Sequence, residues 1–497
     1  MIPRSAPAGS PGAGSLLPEA LTARIERRLP PGRSPALTPR LFAALVVGKA
    51  AGAVTRRLGR GGGTSLPGML ARRIDPDILD NVVRAAGMPV VVITGSNGKT
   101  TTGRFAAALL RAEGIAVGNN AAGANLVQGV TSLAVRYADL RGRLPEGVLV
   151  AEVDEGALRQ VVPELAPQAV LVLDLFRDQL DRYGELHAVA DAIESVARSL
   201  PSEAAWIVNA DDPLVASLAP ERAGRRVTFG FELDRSTDRI TRAADTIRCP
   251  KCRSELVYSH VYLSHMGAYR CPGCGLTRPP IDVAVTALNS AGIGETRLTV
   301  RLPSTELELR VPQSGVHIAY DVAAALAVLV GLGIDPVHAP AAFAAVGPAF
   351  GRLELVQAGD RRIILGFVKN PTSYNTTLRA LASEGEPRQL LIAASNTSVD
   401  GEDFAWLWDV DFESAAPRVE RVTVSGTRAD ELANRLKYAG VDPSLITIVA
   451  ERRAALDVAL AGVEPGGRLT ILAGYTPTIE LREEMRHHGW VGRLWEA

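Results

Sequence analysis

The sequence predicts an α/β protein of two successive parallel-sheet units, the first carrying an inserted four-cysteine ribbon, the second Rossmann-like. Three observations predict this. An apolar β-branched run, Val90–Ile93, leads through a glycine-rich loop into a helical stretch. Short apolar runs alternate with helical segments in both halves of the chain, the pattern of parallel sheets covered on both faces. All four cysteines fall within residues 246–281, where the alternation breaks.

The elements are expected in the following order. Residues 1–37 are rich in Pro, Gly, Ser, Ala and Arg and hold little that could build a core, so a disordered extension is expected. They lack the apolar core and cleavage site of a signal peptide, and a cytoplasmic protein is expected. Leu41–Val54 is apolar but short and is interrupted by Lys49. A membrane span needs about 20 apolar residues, so no transmembrane segment is expected here. A packed helix is expected instead, with interfacial contact left open. After Val90–Ile93 a helix should run from Thr101 to about Glu113, stopped by Gly114. Strands are expected at Gly147–Val153, Ala169–Leu173 and Ala205–Val208, then, beyond the cysteines, at Glu306–Val311, with an Ala-rich helix over Ile318–Gly331. A hinge is expected at Pro348–Leu353. The first unit thus spans 38–347, and the second 348–497. In the second, strands are expected at Arg362–Gly366, Gln389–Ala393, Arg421–Val424, Leu445–Val449 and Arg468–Leu472, with helices between them.

Bulk properties narrow the function. The 497 residues carry 54 basic and 54 acidic side chains, so overall charge gives no reason to expect nucleic acid as a partner. Apolar residues make up 47%, enough for sizeable cores.

Gly95-Ser96-Asn97-Gly98-Lys99-Thr100 follows a strand and opens a helix. Backbone N–H groups at a helix N-terminus face an anion, and glycines let the backbone approach it. Lys99 is expected to hold the β- and γ-phosphates of ATP, and the Thr100 hydroxyl to bind Mg²⁺. The spacing is two residues shorter than the general Walker pattern. Cys249, Cys252, Cys271 and Cys274 form two Cys-x-x-Cys pairs around residues 253–270, the spacing of a closed, structural zinc site. Two disulfides are the alternative, disfavoured in a reducing compartment.

Gly-x-x-Gly-Lys-Thr-Thr-Thr after a strand resembles the form used by Mur ligases and folylpolyglutamate synthases. Four further segments resemble Mur ligase motifs in the same order. Glu152 ends a strand where Mur ligases have a Mg²⁺-binding glutamate. Asp178–Gly184 resembles their Asp-His-Leu-Asp-x-His-Gly segment, with Gln179 in place of the histidine. Asn209-Ala210-Asp211-Asp212 resembles a segment near the nucleotide. Phe350–Glu354 resembles the hinge whose arginine, here Arg352, faces the ATP phosphates. The resemblance thus implies an ATP site of Gly95, Ser96, Asn97, Gly98, Lys99, Thr100, Thr101, Asn209, Asp212 and Arg352. It also implies a Mg²⁺ site of Thr100 and Glu152.

Only about 60 residues separate the extension from the phosphate loop, too few for a separate nucleotide-sugar domain. Gly59–Gly68, the ribbon, Val368–Pro371 and Trp406–Glu413 resemble instead the MurT-type ligase subunits. Departures from that pattern are Asp174, Ile318, Asp321 and Gly474–Pro477. The resemblance implies ATP-dependent amidation of the D-glutamate α-carboxylate in the lipid II stem peptide, or in a muropeptide, through an acyl phosphate. The cysteines are expected to be taken by zinc, so ammonia is expected from a GatD-type glutaminase partner. The resemblance further implies that an aspartate among residues 400–413 completes that partner's Cys–His pair. Asp409 is favoured, with Asp403 and Asp411 as alternatives. Rival readings are a folylpolyglutamate synthase-like or amino-acid-adding ligase, a non-enzymatic zinc-containing scaffold and a zinc nucleic-acid module. Trp406–Glu413 with the ribbon, intact Lys99, Thr100 and Glu152, and neutral charge speak against them in turn.

Overall fold

The computed structural model describes residues 37–57, 65–120, 124–176, 186–219, 221, 224–240, 247–289, 294–347, 352–382, 388–397, 400–401 and 403–492. The expected disordered extension therefore lies outside the described residues except for Leu37, as does 177–185 with Gln179.

Two α-helices, α1 (Pro39–Arg57) and α2 (Leu66–Ile74), and a short π-helical segment, Asp80–Arg84, precede the first strand. The two α-helices pack on each other through glycine. A Cβ at Gly48 would stand 2.8 Å from Val135 Cγ1 and 3.2 Å from the Pro67 carbonyl oxygen. At Gly68 it would stand 1.9 Å from the Gln128 carbonyl oxygen, so only glycine allows α2 this close to the later helix α4.

The first sheet contains β1 (Val90–Thr94), β2 (Val117–Asn119), β3 (Val148–Glu152), β4 (Ala169–Val172), β5 (Ala205–Asn209) and β6 (Arg226–Phe231). A separate hairpin, β7 (Val257–Leu263) and β8 (Met266–Arg270), follows. The sheet then resumes with β9 (Val283–Asn289), β10 (Thr296–Arg301) and β11 (Glu306–Val311). Its order is β11-β10-β9-β6-β5-β4-β1-β3-β2, parallel from β2 to β9 and antiparallel at β10 and β11. Every residue of β1, β3, β4 and β5 is buried, as expected for strands covered on both faces. The cover includes α3 (Lys99–Ala112), α4 (Val127–Tyr137) and α5 (Val316–Leu332). Helix α5 is apolar almost all round and is buried almost throughout, packed against α3 and the middle strands.

The second sheet holds β12 (Arg352–Ala358), β13 (Arg361–Phe367), β14 (Arg388–Ala393), β15 (Val419–Ser425), β16 (Ile446–Ile448) and β17 (Arg468–Ala473), in the order β12-β13-β17-β14-β15-β16. Five of these match the expected parallel strands. The sixth, β12, pairs antiparallel with β13 and begins where a hinge was expected; residues 348–351 lie outside the described set. Helices α6 (Pro371–Ala382) and α7 (Ala429–Tyr438) cover one face. The sequence reading missed β6, β9 and β10. β9 and β10 alternate exposed polar with buried residues, while β6 is buried but broken up by Arg226, Thr228 and Gly230, so none reads as a continuous apolar run.

Candidate functional site

The phosphate loop leaves the buried end of β1 and enters α3. Gly95 (φ +132°) and Gly98 (φ +79°) adopt backbone conformations that side chains avoid. A Cβ at Gly95 would stand 2.9 Å from Leu173 Cβ, and one at Gly98 2.2 Å from Asp321 Oδ1. The loop is braced from the β4 side. The N–H of Ser96 donates to the Asp174 carbonyl (3.0 Å) and that of Asn97 to Asp174 Oδ1 (2.8 Å). The Ser96 hydroxyl links to both backbone groups of Phe176. Thr101 is buried behind the loop, and Thr102 donates to Asp321 Oδ1 at 3.0 Å.

Lys99 is buried and donates to the Gly95 carbonyl and to Glu155 Oε1 (3.2 Å). The Thr100 hydroxyl donates to Glu152 Oε2 at 2.9 Å. Asn125 reaches Glu152 Oε1 at 3.4 Å, and Asn120 pairs with both backbone groups of Glu152. Burial pushes Glu152 and Glu155 above the usual carboxylate range, against the pull of Lys99. Burial likewise pushes Asp174 up to about 7. Such a site gains from cations: a phosphate-bound divalent ion beside these oxygens would restore charge balance. The glycine cradle, the buried lysine and the Thr100–Glu152 oxygen pair therefore fit a nucleoside triphosphate with Mg²⁺. Sequence reasoning had not assigned Glu155 or Asp174 a role; Glu155 was signalled only by its place just past a strand end, and Asp174 by that and by its departure from the MurT pattern.

Beside the loop lies a cleft lined by Asn97, Gly98, Asp174, Asn209, His317 and Asp321, with an apolar wall of Phe176, Phe229, Leu263 and Met266. Asn209 is thus at the cleft. Asp212 is not among its lining residues. Its Oδ1 accepts from the N–H groups of Leu214 and Val215, and its Oδ2 from that of Leu175, so it caps a short helix and braces the β4 loop. Arg352 opens β12 in register with Gly366. The second unit reaches the loop through two residues given no role on the sequence. Lys369 donates to the Ser96 carbonyl (3.0 Å) and Asn370 to Asn97 Oδ1 (3.1 Å).

The four cysteine sulfurs lie within 4.8 Å of one another. Cys252 and Cys271 are 3.4 Å apart, Cys249 and Cys274 3.6 Å. Four metal–sulfur bonds of about 2.3 Å in a tetrahedron would set sulfurs about 3.8 Å apart. All four are free thiols, so the cluster fits a metal ion and the disulfide alternative is not realised. The ribbon also touches the cleft beside the phosphate loop. Its β7–β8 tip places Leu263 and Met266 in the wall, packs His265 against Phe176 (ring centroids 4.6 Å apart) and donates from Gly267 N–H to the Asp211 carbonyl.

In the 400–413 loop the acids separate. Asp403 caps the short helix Ala405–Asp409 through the Ala405 N–H, Asp411 faces Arg239 at 3.4 Å, and Glu413 pairs with Arg435 at 2.9 Å. Asp400 accepts from Thr397 and from the Thr476 N–H, at the crest where β14 and β17 end. Asp409 is exposed. The two tryptophans also part: Trp406 packs against Tyr374 and Phe404, whereas Trp408 is 44% exposed, beside Tyr438 and Arg435.

A sheet order with this phosphate loop and a second α/β unit reaching onto it defines a Mur-type ligase. The Mur ligase middle-domain family matches residues 93–260, and the MurT ligase C-terminal family matches 367–478. Among solved structures, a pseudomurein peptide ligase type C from Methanothermus fervidus matches with a TM-score of 0.63 at 21% identity. That match covers 83% of this chain and 80% of the other. Mycobacterium tuberculosis folylpolyglutamate synthase matches with a TM-score of 0.58 at 16% identity, covering 83% and 95%. The chain belongs to the MurT family. It is 30% identical to the lipid II isoglutaminyl synthase (glutamine-hydrolyzing) subunit MurT of Streptococcus pneumoniae, over 88% of this chain and 95% of that one. The Staphylococcus aureus subunit of the same name is 29% identical over 83% and 90%.

Proposed function

We propose that this ligase activates the α-carboxylate of D-glutamate in the lipid II stem peptide with ATP and amidates it to D-isoglutamine. The observation that carries the reading is the buried Lys99–Glu155 and Thr100–Glu152 pairing beneath a glycine cradle, in a chain whose relatives bear the name of that activity. A carboxylate oxygen of the substrate attacks the γ-phosphorus, and ADP leaves. Ammonia then attacks the acyl carbon of the acyl phosphate, phosphate leaves, and a proton is lost. Lys99 would hold the phosphate charge as it transfers, and Thr100 with Glu152 would hold Mg²⁺, which would supply further neutralisation of that charge. Zinc is the metal best suited to four thiolates in a closed site, where it is structural. The ammonia comes from a GatD-type glutaminase subunit, since the cysteines are committed to the ribbon.

Lys99→Ala should keep the fold and lose ATP-dependent amidation by two orders of magnitude or more, about 10². Near-parental turnover of a muropeptide by the folded variant would remove the assignment. Asp409, exposed beside Trp408, is the acid proposed to orient the partner's histidine. In Asp409→Ala, glutamine-driven amidation should collapse while ammonium-driven amidation survives. Asp400→Ala is the comparison, because its carboxylate is already held in one orientation. Loss of glutamine-driven activity there, with Asp409→Ala unaffected, would transfer the role to Asp400.

A further inference from the structure

Helix α1 has an apolar outward face. Its inner side, Leu41, Leu45, Gly48 and Gly52 among others, packs on α2 and α4. At 100° per residue, Phe42, Val46, Val47, Ala50, Ala53 and Val54 fall on one arc of the opposite side, and all six are exposed. Phe42 is 44% and Val54 53% exposed; on the neighbouring α2, Met69 is 48% exposed. Arg40, Lys49 and Arg56 flank the arc and Arg57 closes its C-terminal end; neither α1 nor α2 contains an acid, and Asp139, just past α4, is the acid that faces Lys49. A solvated helix face would alternate charges of both signs. This one is apolar in the middle and cationic at its rim.

From this we propose that the α1 face docks on the surface of a bilayer bearing anionic lipid. The charge complementarity selects that occupant: apolar side chains enter the headgroup boundary while the rim cations meet anionic headgroups. No helix among the described residues is long and apolar enough to cross a membrane, so the contact is peripheral. The placement serves the reading of a lipid-linked substrate given above, on which this point of the inference rests. Helix α4, on which α1 and α2 pack, is approached through Asn125, whose side chain reaches Glu152 at 3.4 Å. The bilayer-facing surface is thereby one helix away from the carboxylates of the site, and the reacting peptide need not travel far from its anchor.

The test uses the full chain and co-sedimentation with vesicles of phosphatidylcholine alone or mixed with phosphatidylglycerol. The parent should bind only the mixed vesicles, and less as salt rises. Phe42→Asp combined with Val46→Asp should abolish binding. Arg56→Gln with Arg57→Gln should weaken it about tenfold. Both variants should amidate a soluble muropeptide at the parental rate and lose rate only on lipid-linked substrate in mixed vesicles. Binding to vesicles needs neither ATP nor a partner, so its outcome is independent of the amidation reading. No binding by the parent, or equal binding by both variants and parent, overturns the proposal. So does a face whose substitution changes only the mass of the protein in solution, which would mark a protein contact.

Discussion

At the scale of single residues, the site is a set of carboxylates kept away from water. Asp174 braces the phosphate loop through its carbonyl and its Oδ1, and burial pushes its pKa from the usual 3.8 up to about 7. A raised folded-state pKa means that the carboxyl supports the fold fully below about pH 4. Between pH 4 and 7 the unfolded chain ionises there while the folded chain keeps its proton, so that support is lost as pH rises through 7. Asn at this position keeps the acceptor for the Asn97 N–H and carries no charge. Asp174→Asn should therefore match the parent in thermal stability near pH 4. It should exceed the parent by on the order of a few kcal/mol above pH 7, measured without nucleotide. A stability gain independent of pH would show that Asp174 is ionised in the fold throughout.

At the scale of elements, the sequence was legible where one force dominated. Short apolar runs named β1, β3, β4 and β5, because strands buried on both faces have no polar alternation to confuse them. The glycine spacing between strand and helix named the phosphate loop, and Gly95 and Gly98 do take positive φ. What stayed illegible was long-range. Nothing local says that Glu155 reaches Lys99, that Asp212 also accepts from the Leu175 N–H, or that the β7–β8 tip enters the cleft beside the phosphate loop. That tip has a consequence for the metal. With the proposed zinc removed by chelation, or the cluster opened by Cys271→Ser, the hairpin should lose its anchor. Leu263 and Met266 then no longer hold the cleft wall. Such protein should melt earlier and bind a fluorescent ATP analogue more weakly, without any change at Lys99. A loss of stability with unaltered nucleotide affinity would show that ribbon and cleft are independent.

At the scale of the whole molecule, two sheets must cooperate on one loop. The first supplies the phosphate loop, and the second supplies Lys369 and Asn370, which bond to the carbonyl of Ser96 and the side chain of Asn97. Elsewhere Arg379 pairs with the nearly buried Asp238 at 2.9 Å, again from the second unit to the first. The pairing with Ser96 is the one that reaches the proposed phosphate loop. A cation there orients the loop from outside while Lys99 fixes it from within, and small misplacements of a phosphate-holding loop are costly, up to about a hundredfold per ångström. Lys369→Ala should thus lower kcat/KM for ATP by at least about tenfold, and should lower glutamine-driven and ammonium-driven amidation equally. That equality separates it from Asp409, whose loss should affect only the glutamine-driven reaction. Lys369→Arg, which keeps the charge and a donor, should recover most of the rate. If Lys369→Ala instead reduced thermal stability with kcat/KM untouched, the residue would only join the units, and positioning of the phosphate loop would rest with the first sheet alone.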